Sequence, residues 1–221
     1  MSEGNDTFFY TSTEDRWNAW SHAAGIVLGM VVGVMFLKRC VGAYDTMAIA
    51  SVLFYLFGML NSYLASTIYH AMAPNSPWKS RFRYWDHVAI YWHIAGSYAP
   101  VTLIALRSQG HWGVGLFVFV CLCAVAGTFY ALGGLKRHSN FETLCYVAMG
   151  LSVLVAFGPL LRAVNEQTIG WLVGEGVAYI TGALFYTLHK RRYMHTVFHF
   201  FVLLGTFCHV MAVWNILITC E

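Results

Sequence analysis

Polar positions along this chain are sparse and clustered, and between the clusters run solid stretches of Leu, Val, Ala, Gly and aromatic residues. Seven such stretches lie at about 17–37, 46–70, 84–106, 112–133, 141–161, 169–188 and 195–218. Each reaches the roughly 20 residues that an α-helix needs to cross about 30 Å of hydrocarbon. They do not alternate in segments of about 10 residues, as barrel strands do, so the pattern predicts helices rather than a β-barrel. The connections are short, which predicts a single domain over residues 1–221, headed by a short cytoplasmic segment 1–16. The expected fold is all-α and integral to the membrane, a bundle of seven transmembrane helices.

Composition agrees. Hydrophobic residues make up 58% of the 221 and charged residues 10%, against about 25% charged in soluble domains. This is not an ordinary soluble domain, and it does not look like a secreted pore-former, which would need a soluble state. The first 16 residues carry Glu3, Asp6, Glu14 and Asp15 with Arg16 as their one base, unlike the basic start of a cleaved signal peptide. Gly25, Gly29 and Gly33 repeat every four residues in the first helix, a small-residue face suited to close packing on a neighbour.

Charge then orients the bundle. Arg16, Lys79, Arg81, Arg83, Lys136, Arg137, Lys190, Arg191 and Arg192 share the N-terminal side, nine of the 13 basic residues, while Lys38, Arg39, Arg107 and Arg162 take the other. Lys and Arg gather on the cytoplasmic side, so the N-terminus is expected in the cytoplasm and the C-terminus outside. The net charge of +3 follows from this topology and calls for no nucleic-acid partner. The six cysteines form no CxxC pair. Cys121, Cys123, Cys145 and Cys208 fall within helices as small hydrophobes, whereas Cys40 and Cys220 share the outer side, where an oxidising compartment would permit a disulfide.

Candidate chemistry gathers at the cytoplasmic helix ends. Helix two closes at His70, helix three opens near Asp86, and helix seven opens near His195, so three polar positions distant in sequence reach one depth. His195 and His199 are four residues apart, which puts them about 40° apart on one helix face, the spacing that presents two imidazoles to one metal. Ser66 lies four residues before His70 on its face. A carboxylate such as Asp86 is costly at a membrane helix end unless partnered or wet, and Arg81 and Arg83 are alternative partners for it. Three neutral imidazoles suit Zn²⁺, which in catalytic sites keeps a fourth position for water and lowers the pKa of that water toward about 7. Thr196 stands where HExxH metalloproteases carry Glu, so a base must come from another helix, and Asp86 is the candidate. Ser66 can serve the water, the carboxylate or a substrate oxyanion. His22, His87, His93, His111, His138 and His189 read as imidazoles satisfied by neighbouring helices or interfacial water. His209, about 15 Å beyond His199 along the helix, cannot join the same metal.

These residues sit in motifs. NAWSHAAGIVLG, YLASTIYHA, FRYWDHVAIYWHIAGSYAPV, LCYVAMG and HTVFHFFVLLGTFCH occur in order along nearly the whole chain, which resembles the hemolysin III proteins, the bacterial branch of the progestin and adipoQ receptor family, and more distantly the alkaline ceramidases. The resemblance implies a seven-helix bundle with a cytoplasmic N-terminus in the bacterial inner membrane. It further implies zinc on His70, His195 and His199, with Ser66 and Asp86 beside the metal's water. His22 and His209 also match family positions; His93 does not. Hydrolysis of a lipid amide or ester follows as the expected activity, with a membrane lipid as substrate, or a role in membrane-lipid homeostasis. A receptor or sensor with structural zinc, a cytolytic factor, a zinc or proton carrier and a haem protein are the competing classes.

Overall fold

The computed structural model describes residues 10–43, 45–133, 140–188 and 191–219. Of the positions discussed above, Glu3, Asp6, Lys136, Arg137, His138, His189, Lys190 and Cys220 lie outside these residues, and with Cys220 the pairing with buried Cys40.

Eight α-helices are described: α1 (Ser12–Gly42), α2 (Thr46–Ala71), α3 (Lys79–Leu103), α4 (Trp112–Leu132), α5 (Asn140–Leu151), α6 (Phe157–Ala163), α7 (Glu166–Thr187) and α8 (Met194–Thr219). Their ends follow from capping chemistry. The Thr11 side chain accepts from the Glu14 N–H while Glu14 reaches back to the Thr11 N–H, a capping box that starts α1 ahead of its apolar run. Asp45 Oδ1 accepts from the N–H groups of Met47 and Ala48 at 2.9 and 3.1 Å to open α2, and Asn165 opens α7 in the same manner.

Among the described residues, six segments are long and apolar enough to cross a membrane: α1, α2, α4, the stretch Asn140–Ala163, α7 and α8. The third expected run falls on α3, which is long enough but too polar to join them, carrying Lys79, Arg81, Arg83, Asp86, His87 and His93. It tolerates that polarity because it lies between α2 and α4 and buries one face over most of its length. The α2 and α3 backbones touch: a Cβ at Gly58 would strike the Trp92 carbonyl, and one at Gly96 would lie 3.1 Å from the Phe54 carbonyl. The small face of α1 packs on α2, with Tyr63 over Gly25, Leu60 over Gly29 and Leu56 over Gly33.

The fifth expected run is interrupted. Between α5 and α6 the chain tightens into a 3-10 turn, Ser152–Ala156. The Tyr98 hydroxyl of α3 enters the backbone ladder there. It donates to the carbonyls of Gly150 and Met149 at 2.6 and 3.0 Å and accepts from the Val153 N–H at 2.9 Å. A side chain inserted this way breaks regular α-helical bonding.

Around the bundle the helices follow chain order, α1 on α2, α2 on α3, α3 on α4, α5 against α7, α7 on α8, and α8 back on α1. The α5 to α7 contact is much the lightest of these.

Candidate metal centre and cavity

Helix α2 ends, and α8 begins, at the same end of the bundle, and there His70, His195 and His199 meet. One ligand nitrogen from each lies within 4.8 Å of the others, and all three residues are buried or nearly so. The Nε2 atoms of His195 and His199 face each other at 3.0 Å.

Hydrogen bonds fix how these rings present themselves. His70 Nδ1 lies 2.8 Å from Asp15 Oδ1, and because a carboxylate only accepts, Nδ1 carries the proton. The lone pair then falls on His70 Nε2, which is buried without a hydrogen-bond partner among the described residues. His199 Nδ1 is 3.3 Å from the Asn18 backbone carbonyl, again an acceptor, which turns the His199 lone pair to Nε2 also. A second ring nitrogen donating to a carboxylate or carbonyl is the usual support of a metal-ligating histidine. Convergent Nε2 atoms, one of them orphaned, fit a metal ion as resident.

Behind the three histidines stands the start of α1, whose part the apolar pattern did not disclose. Asp15 also accepts from Lys79 Nζ at 2.8 Å, and Lys79 donates on to the Met72 carbonyl at 3.0 Å, so one carboxylate joins α1, α2 and α3. Asn18 Oδ1 accepts from the Thr196 hydroxyl at 2.6 Å. Glu14 accepts from the Tyr193 N–H at 2.6 Å, and Tyr193 is left-handed at φ 62°, an uncommon backbone state for a side-chain-bearing residue that tertiary contacts must hold. In the sequence these acids served only to argue against a signal peptide. Their spacing was the available signal: 14, 18 and 22, or 15, 18 and 22, recur on one helical face.

Ser66 and Asp86 both line the cavity next to the histidines, and the Ser66 hydroxyl faces the Asp86 carboxyl. Asp86 sits two turns inside α3 rather than at its start, since α3 begins at Lys79. Arg81 lies over the Trp78 ring and Arg83 over the Tyr84 ring, and among the described residues neither alternative partner is seen in an ion pair with it. Among the other histidines, His87 is satisfied as expected, its Nδ1 2.8 Å from Glu142 Oε2. His22 stacks on His199 with ring centroids 3.8 Å apart, and neither of its nitrogens has a hydrogen-bond partner among the described residues. His93 lines the cavity, and His209 pairs with Glu175 across α7 and α8.

From the histidines a cavity of about 450 Å³ runs into the bundle. Apart from its polar points, its walls are apolar. Leu151 and Leu154, with Val173 and Val177, line it and are also 40–61% exposed on the outer surface, so it opens sideways where α5 and α7 meet only lightly.

The family model for Haemolysin-III related proteins matches residues 10–210. The chain belongs to that family. It is similar to Hemolysin-3 of Bacillus cereus, 30% identical over 193 residues and 87% of each chain, and to the Hemolysin-3 homolog of Bacillus subtilis (strain 168), 31% identical over 202 residues, covering 89% of this chain and 91% of the relative. It is also similar to the human Monocyte to macrophage differentiation factor, 25% identical over 222 residues, covering 96% of this chain and 88% of the relative. This haemolysin III protein is thus a multi-pass integral membrane protein with a buried triple-histidine group that could hold a metal ion.

Proposed function

We propose that this haemolysin III protein is a zinc-dependent hydrolase of a lipid amide or ester, a single domain of seven membrane-crossing helices, with its N-terminus in the cytoplasm and its C-terminus outside. Its bacterial relatives support a bacterial inner membrane as its location. One observation carries the reading: three buried imidazoles converge beside a buried carboxylate at the end of an apolar cavity that opens toward lipid. His70, His195 and His199 would hold the ion, and their all-nitrogen, uncharged set suits zinc. Zinc there would supply Lewis acidity toward a carbonyl and a more acidic water at neutral pH.

The chain's own residues do the rest. Asp86 accepts a proton from the attacking water as its oxygen bonds to the carbonyl carbon, and returns that proton to the nitrogen or oxygen that leaves when the C–N or C–O bond breaks. Ser66, facing Asp86, holds that carboxyl in place. The apolar walls take the acyl chain and keep bulk water out. Purified zinc-loaded protein should hydrolyse at least one lipid in a panel of ceramides, N-acyl amides and phospholipids, and Asp86→Ala should lose that turnover while keeping its zinc. No turnover of any of them by protein with an intact metal site would end the enzyme reading.

One observation favours a second reading. The Asp15 contact ties the histidine group to α1 and α3 as well as α2 and α8, as a structural ion in a receptor or sensor would require. In that case Asp86→Ala leaves function in cells unchanged, and His70→Ala lowers the melting temperature as far as chelation does.

A further inference from the structure

Ten residues beyond His199 along α8, about 15 Å deeper in the bundle, the cavity passes a second polar group that the proposed hydrolysis does not use. His209 of α8 places Nδ1 2.8 Å from Glu175 Oε2 of α7. Both residues line the cavity, and His93 of α3 lines it too. The His209 ring is buried and its Nε2 has no hydrogen-bond partner among the described residues, whereas the Glu175 side chain keeps 14% of its surface open. An ionisable pair inside a membrane bundle is costly and marks a functional position by default.

Nearby hydroxyls do not answer it. Tyr98 is committed to the α5 backbone, and Tyr179 and Tyr63 both bond Thr206. Tyr55, its ring centroid 5.0 Å from that of His209, has a buried hydroxyl without a partner among the described residues but stands outside the cavity lining. A mere staple between α7 and α8 has little to add, because those helices already interlock through Gly205 under Tyr179 and Gly182 under Phe201. A staple also needs no face open to a cavity.

We propose that Glu175 and His209 form a second binding subsite, for a hydroxyl carried mid-chain by the acyl lipid whose carbonyl lies at the histidine end. It rests on the reading above that an acyl lipid occupies the cavity. With His209 neutral, Nδ1–H donates to Glu175, and the carboxylate and Nε2 both present lone pairs to a donor. With His209 protonated, Nε2–H becomes a donor beside the carboxylate. A hydroxyl, which donates and accepts, fits either state. It also leaves water for apolar walls at far lower cost than an ammonium does.

The test uses the full-length, metal-loaded protein and three probes: octadecanoate, 12-hydroxyoctadecanoate and 2-hydroxyoctadecanoate. Their carboxylates mimic the acid product, and their hydroxyls fall mid-chain, or beside the carboxylate. The 12-hydroxy acid should bind about fivefold to tenfold more tightly than octadecanoate, as one added buried hydrogen bond warrants, and the 2-hydroxy acid should not. Glu175→Leu should bring the first two acids within about twofold of each other, with zinc content unchanged. His209→Phe should do the same, which secures the test if Glu175→Leu does not fold. Glu175→Gln, which keeps an acceptor, should restore most of the preference. Equal binding of all three acids, or a preference that survives both removals, overturns the subsite alone. Failure to bind any of them overturns the acyl-lipid reading and the subsite together.

Discussion

Asp15 shows how much of this centre depends on side chains outside the candidate ligand set. It accepts from His70 and Lys79 at 2.8 Å each, and in doing so sets which nitrogen of His70 points at its fellow histidines. Asp15→Asn should therefore weaken zinc binding by about 10- to 100-fold, the usual effect of losing such a support; chelator competition on the purified variant measures it, and unaltered affinity would remove Asp15 from the site. His70, His195, His199, Ser66 and Asp86 were legible in the sequence because intramembrane polar residues at helical spacing stand out against hydrocarbon. Glu14, Asp15 and Asn18 were not, since acids in a first helical turn are ordinary capping residues and nothing local shows that α8 passes behind them. The spare nitrogens of His22 were hidden for the same reason: whether an imidazole is satisfied depends on which helix it faces.

Helix lengths obey hydrocarbon thickness and local capping, so most elements were readable to within a few residues. Where the pattern misled, the cause lies on another helix. The run 141–161 is continuous in hydropathy, yet Tyr98 of α3 splits it at Ser152–Ala156. Tyr98→Phe strands the Val153 N–H and the Gly150 carbonyl, while the Met149 carbonyl keeps the Ser152 hydroxyl, and should cost about 1–3 kcal/mol, read as a lowered melting temperature in detergent. An unchanged melting temperature would mean that the break does not depend on the hydroxyl. Gly58 tests the seam between α2 and α3. Its missing Cβ leaves room for the Trp92 backbone, which cannot rotate away, so Gly58→Ala should cost about 1–3 kcal/mol through overpacking. Gly25→Ala meets the Tyr63 ring instead, which is buried and held by its hydroxyl on Thr206, so it should cost a comparable amount; an unchanged melting temperature in either variant would contradict this packing.

At the scale of the molecule, α3 decides the topology. Six apolar segments place the chain in the membrane. A crossing by α3, shielded by α2 and α4, makes seven and puts the two termini on opposite sides. A fluorescent protein that matures only in the cytoplasm should then light up at the N-terminus, and alkaline phosphatase, active only outside, should work at the C-terminus. Both termini reporting from one side would require an even number of crossings. The whole-chain arrangement also joins the histidine end of the bundle to a lipid-facing opening between α5 and α7, and no single stretch of sequence contains that connection.

Metal content tests the central claim most directly. Protein purified without added metal or chelator should carry one zinc per chain by elemental analysis, and His195→Ala should carry far less while keeping its helical content. Substoichiometric zinc in the wild type, together with the same content in His195→Ala, would contradict the assignment of His70, His195 and His199 as a metal centre.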